Sequence, residues 1–191
     1  ASGSADRTVK LWDISKNSCV FTYTKHQEKV KTQLKVCILT LLDSNCEMDH
    51  KEEAVLATGA MDRTMKIFDV RQSEEAVRYQ NRQKIINFLY TLVHWKAGDD
   101  IECLVWDPST DCNLIVGMED GTIKGFDARK LSSPLFYLRA HSKNTTAVMT
   151  SPTVRGMLAT ASHDGYVRVW DLNTVNDGQI KLIAEKHMKA V

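Results

Sequence analysis

The sequence predicts an all-β chain built from about four repeated units, and three observations carry that prediction. The first is a recurring ten-residue phrase: SADRTVKLWD at residues 4–13 returns as AMDRTMKIFD at 60–69, MEDGTIKGFD at 118–127 and SHDGYVRVWD at 162–171. Four copies of one unit exclude coincidence. The second is turn chemistry. Each copy sets an Asp in a tight turn (Asp6, Asp62, Asp120, Asp164), and two follow it with Gly (Gly121, Gly165), which accepts positive φ at no steric cost and so marks a hairpin. The third is a period of two. Val9, Met65, Ile123 and Val167 are apolar, as are Leu11, Ile67 and Val169, with Gly125 the exception. Alternation of this kind places one face of each strand against a neighbouring unit.

The elements follow in order. Residues 1–5 form a strand leading into the Asp6 turn, and the strand after the turn ends in Trp12 and Asp13. Residues 20–23 read as an outer strand with His26 behind them. In the last full unit, 135–138 is expected to be the outer strand, contributed by the preceding repeat. There 146–149 is the inner strand, 157–161 the next and 166–170 the third, and 180–184 reads as a further outer strand. The closing aspartates Asp13, Asp69, Asp127 and Asp171 lie 56, 58 and 44 residues apart, against roughly 40 to 45 for one blade of a repeat propeller. Two inserts explain the stretched intervals. The first, about 34–50, interrupts an expected inner strand with an apolar run and the polar tail DSNCEMDH. In the second, about 81–95, Ile85, Phe88, Leu89 and Leu92 fall at i, i+3, i+4 and i+7, one face of an amphipathic helix.

Bulk properties exclude more than they assign. Twenty-five basic residues against 24 acidic give a formal charge of +1, so no general field favours a nucleic acid, and direct nucleic-acid binding is not indicated. Five cysteines (Cys19, Cys37, Cys46, Cys103, Cys112) include no CxxC pair and are odd in number, the usage of reduced thiols inside a cell. The longest apolar run, 85–93, is far below the roughly 20 residues that span a bilayer, and no membrane partner is expected.

These phrases resemble the WD-repeat family, over nearly the whole chain apart from the inserts. The resemblance implies a β-propeller, here a single partial one at residues 1–191, of which about four blades belong to a ring of about seven. Its repeats run approximately 1–18, 19–75, 76–133 and 134–178, with 179–191 starting a further blade. An open fan of this kind leaves raw apolar faces, so the missing blades of the same protein are expected partners. The family ties a blade with a hydrogen-bonded tetrad of His, Ser or Thr, Asp and Trp. By that resemblance His141, Thr160, Asp164 and Trp170 form a complete tetrad. Partial ones remain in the first copy, with Ser2, Asp6 and Trp12, and in the second, with His26, Thr58 and Asp62, where Phe68 supplies no N–H. In the third copy Ala97, Val116 and Phe126 take the other places, so that blade is expected to rely on apolar packing.

No catalytic reading survives. Ser, His and Asp recur together as repeat features, and the exposed nucleophile elbow GxSxG is absent. Cys37, Cys46 and His50 lack zinc-ligand pairing and a fourth ligand, and no phosphate-binding GxxxxGK or GxGxxG occurs, so neither metal nor cofactor is expected. The basic residues at Lys10, Lys66, Lys124 and Arg168 read as aliphatic stems lying along the blade with charges reaching solvent or an Asp. Two copies continue as FDVR and FDAR. Asp69 with Arg71 and Asp127 with Arg129 thereby resemble the DxR box of WD-repeat substrate receptors for cullin-type ubiquitin ligases, against the plainer reading of a local contact that shapes the loop. The order and loop wording of the phrases, among them IECLVWDP and LFYLRAHS, is similar to that of nucleolar WD-repeat proteins. That resemblance implies a non-catalytic protein-binding scaffold in ribosome biogenesis or precursor ribosomal RNA processing, with pre-ribosomal components as partners and a nuclear, nucleolar location.

Overall fold

The computed structural model describes residues 1–24, 26–30, 35–39, 53–69, 95–96, 98–110, 113–128, 133–176 and 179–188. Four antiparallel sheets succeed one another along these residues. The first holds β1 (Ser2–Gly3), β2 (Val9–Asp13) and β3 (Ser18–Tyr23). The second holds β4 (Lys35–Leu39), β5 (Glu53–Gly59), β6 (Thr64–Asp69) and β7 (Trp95–Lys96). The third holds β8 (Ile101–Trp106), β9 (Asn113–Met118), β10 (Thr122–Asp127) and β11 (Phe136–Arg139), and the fourth β12 (Thr145–Thr150), β13 (Met157–Ser162), β14 (Tyr166–Asn176) and β15 (Gln179–His187). Each sheet is a meander whose strands pair in sequence order, and together they are part of a β-propeller.

The recurring Asp makes the turn in every copy. Its carboxylate accepts the backbone N–H two residues on: from Thr8 at 2.9 Å, Thr64 at 3.0 Å, Thr122 at 2.9 Å and Tyr166 at 3.0 Å. The intervening residue is left-handed, at φ 71° for Arg7, 60° for Arg63, 85° for Gly121 and 84° for Gly165. Glycine accepts that conformation freely and an L side chain resists it. At Gly121 there is a second requirement, because a Cβ there would lie 2.4 Å from the carbonyl oxygen of His141.

The alternation places the core between sheets. Val9, Leu56, Ala60 and Val30 cluster between the first and second sheets. Between the second and third, Ala57, Met65 and Ile67 pack on Leu104, Trp106, Leu114, Val116, Met118 and Phe126. Between the third and fourth, Cys103, Val105, Ile115 and Ile123 meet Val148, Leu158 and Trp170. The rule is regular. The face bearing Val9, Met65 or Ile123 meets the following sheet, and the face bearing Phe126 or Trp170 meets the preceding one. Apolar burial of this kind, at about 1.5 to 3 kcal/mol for each fully buried aliphatic side chain, is the main force joining the sheets.

Three expectations are corrected by strand pairing. The 135–138 stretch does not edge the last sheet: β11 pairs with β10 of the third, from Gly125 opposite Phe136 to Thr122 opposite Arg139. The exceptional Gly125 explains this, since a Cβ there would lie 2.1 Å from the Phe136 ring, which fills the vacancy. The stretch 180–184 is an outer strand as expected, but within the segment 179–191 expected to start a further blade, Gln179–His187 completes the fourth sheet, with Val169 opposite Ala184 and Tyr166 opposite His187. And the first insert does not displace the inner strand, because Lys35–Leu39 is that strand, paired from Lys35 opposite Ala57 to Leu39 opposite Glu53. The remainder of that insert lies outside the described residues. So does the second insert with its helical pattern, apart from Trp95, which pairs with Met65.

Candidate functional site

Two polar networks stand inside this apolar framework. In the fourth sheet, β13 carries Thr160 and β14 carries Trp170, while His141 enters from the segment before β12 and Asp164 from the β13–β14 turn. The imidazole Nδ1 lies 3.0 Å from an Asp164 oxygen and Nε2 lies 2.8 Å from Thr160 Oγ1; the Trp170 indole N–H donates to the same hydroxyl at 3.0 Å. Since the carboxylate can only accept, Nδ1 carries the proton. Nε2 then accepts from the Thr160 O–H, which accepts in turn from the indole. His141 and Thr160 are each 2% exposed. The chain of donors is thus satisfied where an unpaired group is most costly.

The charges follow from that geometry. Burial raises the Asp164 carboxyl, but N–H groups of Tyr166 and Ser142 and the His141 ring outweigh it and bring the pKa down to about 2. Burial lowers the His141 pKa and outweighs the opposing pull of Asp164, with Arg168 adding to the lowering. Both shifts destabilise the fold in acid. A His whose folded pKa is depressed contributes stability above its unfolded value of about 6.5 that is lost as pH falls through that value, and the Asp164 contribution is lost between about pH 4 and pH 2. Thermal unfolding at pH 7.5, 5 and 3.5 is expected to show a stepwise fall in Tm. A Tm unchanged between pH 7.5 and 5 contradicts a buried, neutral His141.

The second sheet repeats most of the arrangement. His26 Nδ1 lies 2.9 Å from Asp62 and Nε2 lies 2.8 Å from Thr58 Oγ1. The other Asp62 oxygen accepts the Thr64 hydroxyl at 2.5 Å. The Phe68 side chain is outside the described residues. In the first sheet the Trp12 indole donates to Ser2 Oγ at 2.9 Å, while Asp6 accepts the Thr8 hydroxyl at 2.7 Å. In the third, Asp120 holds the N–H and hydroxyl of Thr122, and fully buried Val116 and Phe126 occupy the positions that Thr160 and Trp170 hold in the fourth.

The basic positions on the third strands do not share one role. Lys10 lies over the Trp12 ring and Lys124 over Tyr137. Lys66 is 4% exposed and its ammonium lies 4.0 Å from Asp62. Arg168 does most: its guanidinium donates to the Ala140 carbonyl, pairs with Glu185 at 3.1 Å, and stands 3.5 Å from Asp164. Sequence reasoning missed this bridge between the tetrad and the outer strand. The alternation of Arg168 with Tyr166 and Trp170 was its only signal.

The two DxR boxes fall largely outside the described residues. Asp127 ends β10, but Arg71 and Arg129 lie outside the described residues, as does the Asp69 side chain. Cys46 and His50 also lie outside them. Among the described residues the carboxylates of Asp99, Asp100 and Glu119 come within 4.8 Å of one another, and Arg63 pairs with Asp100 at 3.4 Å. Burial pushes the Cys103 thiol up to about 12, which leaves it protonated and unreactive. No helix among the described residues is long and apolar enough to cross a membrane.

Comparison with known proteins agrees with this architecture. The family model "WD domain, G-beta repeat" matches residues 1–13, 86–127 and 132–171. The chain is 26% identical over 173 residues to Periodic tryptophan protein 1 homolog of Drosophila melanogaster, covering 91% of this chain and 32% of that protein. It is 25% identical over 175 residues to Periodic tryptophan protein 1 of Saccharomyces cerevisiae, covering 89% and 26%. Over 172 residues it is 22% identical to E3 ubiquitin-protein ligase COP1 of Arabidopsis thaliana, covering 90% and 21%. The chain thus spans between 21% and 39% of the length of these and other curated relatives it matches.

Proposed function

This chain belongs to the WD-repeat family, and we propose that it serves as a non-catalytic protein-binding scaffold in ribosome biogenesis, acting on precursor ribosomal RNA processing in the nucleolus. The class follows from the architecture: rigid sheets present loops and strand edges, surfaces suited to holding other proteins. The observation that supports the finer reading is the match to Periodic tryptophan protein 1 of fly and yeast across about nine-tenths of this chain, together with the loop phrases. The partners are then components of pre-ribosomal particles, bound as proteins. Affinity purification of the tagged full-length protein is expected to recover precursor ribosomal RNA and assembly proteins. Recovery of neither counts against the assignment.

A second reading is favoured by the two DxR boxes and by the likeness to an E3 ubiquitin-protein ligase. Here the chain would be a substrate receptor, with Arg71 and Arg129 docking a cullin adaptor. The same purification separates the two. An adaptor captured by the native protein and lost in Arg71→Ala with Arg129→Ala selects the receptor; an adaptor retained by that double variant rejects it.

A further inference from the structure

A cleft of about 220 Å³ opens between the third and fourth sheets, at the end where their third strands reach the closing aspartates. The β8–β9 turn and the start of β11 form one wall, the β12–β13 turn with Leu172 and Asn173 of β14 the other. Each wall is fixed by its own hydrogen bonds. Asp107 accepts the N–H and the hydroxyl of Ser109 at 2.9 and 2.6 Å, and the Asn173 amide donates to the Arg155 carbonyl at 2.7 Å. Gly156 is required beside them: its φ is 75°, and a Cβ there would lie 2.2 Å from Asn173 Nδ2. A cleft held open in this way spares a ligand the ordering of loops that binding otherwise costs.

The lining says what fills it. Leu114, Phe136 and Leu172 give an apolar floor, buried or partly buried, while Leu135, 58% exposed, and the exposed Arg155 stand at the rim. Arg155 makes no ion pair among the described residues; its one hydrogen bond there is through its carbonyl. Thr110 Oγ1, at the same place, is buried with no partner among them, and a rotation about χ1 offers that hydroxyl to an incoming carbonyl. Asp107, Asp127 and Asp171 stand at the same end of these sheets, Asp171 holding the Asn173 N–H at 2.9 Å. Their charges keep an anion out of the depth of the cleft and confine it to the rim, beside Arg155. The volume is below the roughly 300 to 1,000 Å³ of pockets that enclose a whole small molecule, and it suits one side chain of a larger ligand. We propose that this cleft is a peptide-recognition site: it takes one aliphatic or aromatic side chain from an extended segment of a partner protein, and a carboxylate next to that side chain pairs with Arg155. An apolar anchor in a rigid pocket concentrates binding energy, and a guanidinium–carboxylate pair at the rim adds direction. The proposal rests on the protein-binding reading above and is independent of the nucleolar assignment.

Panning a phage-displayed library of random dodecapeptides on the immobilised full-length protein tests this, with synthetic peptides of the enriched sequences then measured by fluorescence anisotropy. The expected consensus is an apolar residue beside Asp or Glu. Arg155→Glu and Leu135→Asp, both at exposed positions, are each expected to weaken binding at least tenfold, and thermal unfolding checks that both variants stay folded. Exchanging the acid of the peptide for Lys restores binding to Arg155→Glu, which a merely structural effect of the substitution does not do. Absence of any enriched peptide overturns the proposal, as do enriched peptides that bind Arg155→Glu or Leu135→Asp as tightly as the native protein. Should it fail in this way while the full-length protein still recovers precursor ribosomal RNA and assembly proteins, the scaffold reading stands without the cleft.

Discussion

Replacing Asp164 by Ala lowers the stability of the chain by about 3 kcal/mol, since it leaves a buried imidazole N–H without an acceptor. The same carboxylate also accepts the backbone N–H groups of Ser142 and Tyr166, and it gives the Arg168 guanidinium a counter-charge inside the blade. The comparison that isolates the network is Asp120→Ala. Among the described residues, Asp120 accepts from Thr122 alone, so its loss costs about 1 kcal/mol, the worth of an ordinary turn hydrogen bond. For a chain of this size the difference of about 2 kcal/mol appears as a gap of roughly 4 to 8 °C in Tm. Equal losses in the two variants would falsify the idea that the tetrad works as one connected unit.

The third sheet responds to a different substitution. Phe126 is fully buried, and with Val116 it fills the region that the hydroxyl and indole occupy in the fourth sheet. Phe126→Ala therefore leaves a cavity between the second and third sheets and costs about 3 to 5 kcal/mol, while Phe126→Met, close in volume and apolar, costs below about 1.5 kcal/mol. Denaturant unfolding of the two variants checks this directly. Should Met cost as much as Ala, the site requires the flat ring itself, and apolar filling is not what holds that sheet.

These two residues also show what can be read from sequence. The repeated phrase exposes its strands because Asp, aromatic and Asp mark a turn and a strand end, and the resemblance to the WD-repeat family groups His141, Thr160, Asp164 and Trp170. Gly125 resisted interpretation for a physical reason. Its role is set by Phe136, eleven residues later and on the adjacent strand, and no local pattern announces that a ring will occupy the space of an absent Cβ. The same cause misplaced the outer strand at 135–138: an edge strand's affiliation lies in its register. Lys35–Leu39 was hidden in another way, since its apolar run continues into residues without blade-like spacing. Its partner β5, with Leu56, Ala57 and Thr58 buried, identifies it. The basic positions looked equivalent in sequence, yet burial separates Lys66, enclosed beside Asp62, from Lys10 on an open face.

The sequential pairing of the strands bears on how the chain folds. In the first, third and fourth sheets each strand pairs with one close in sequence, so the loop-closure entropy that slows nonlocal β-structure is small there, whereas in the second Met65 waits for the more distant Trp95. Beyond the first, each sheet turns its Phe126-like or Trp170-like face toward one that precedes it in the chain. During synthesis a newly emerged sheet therefore finds its packing surface already formed behind it, and assembly proceeds in the direction of translation.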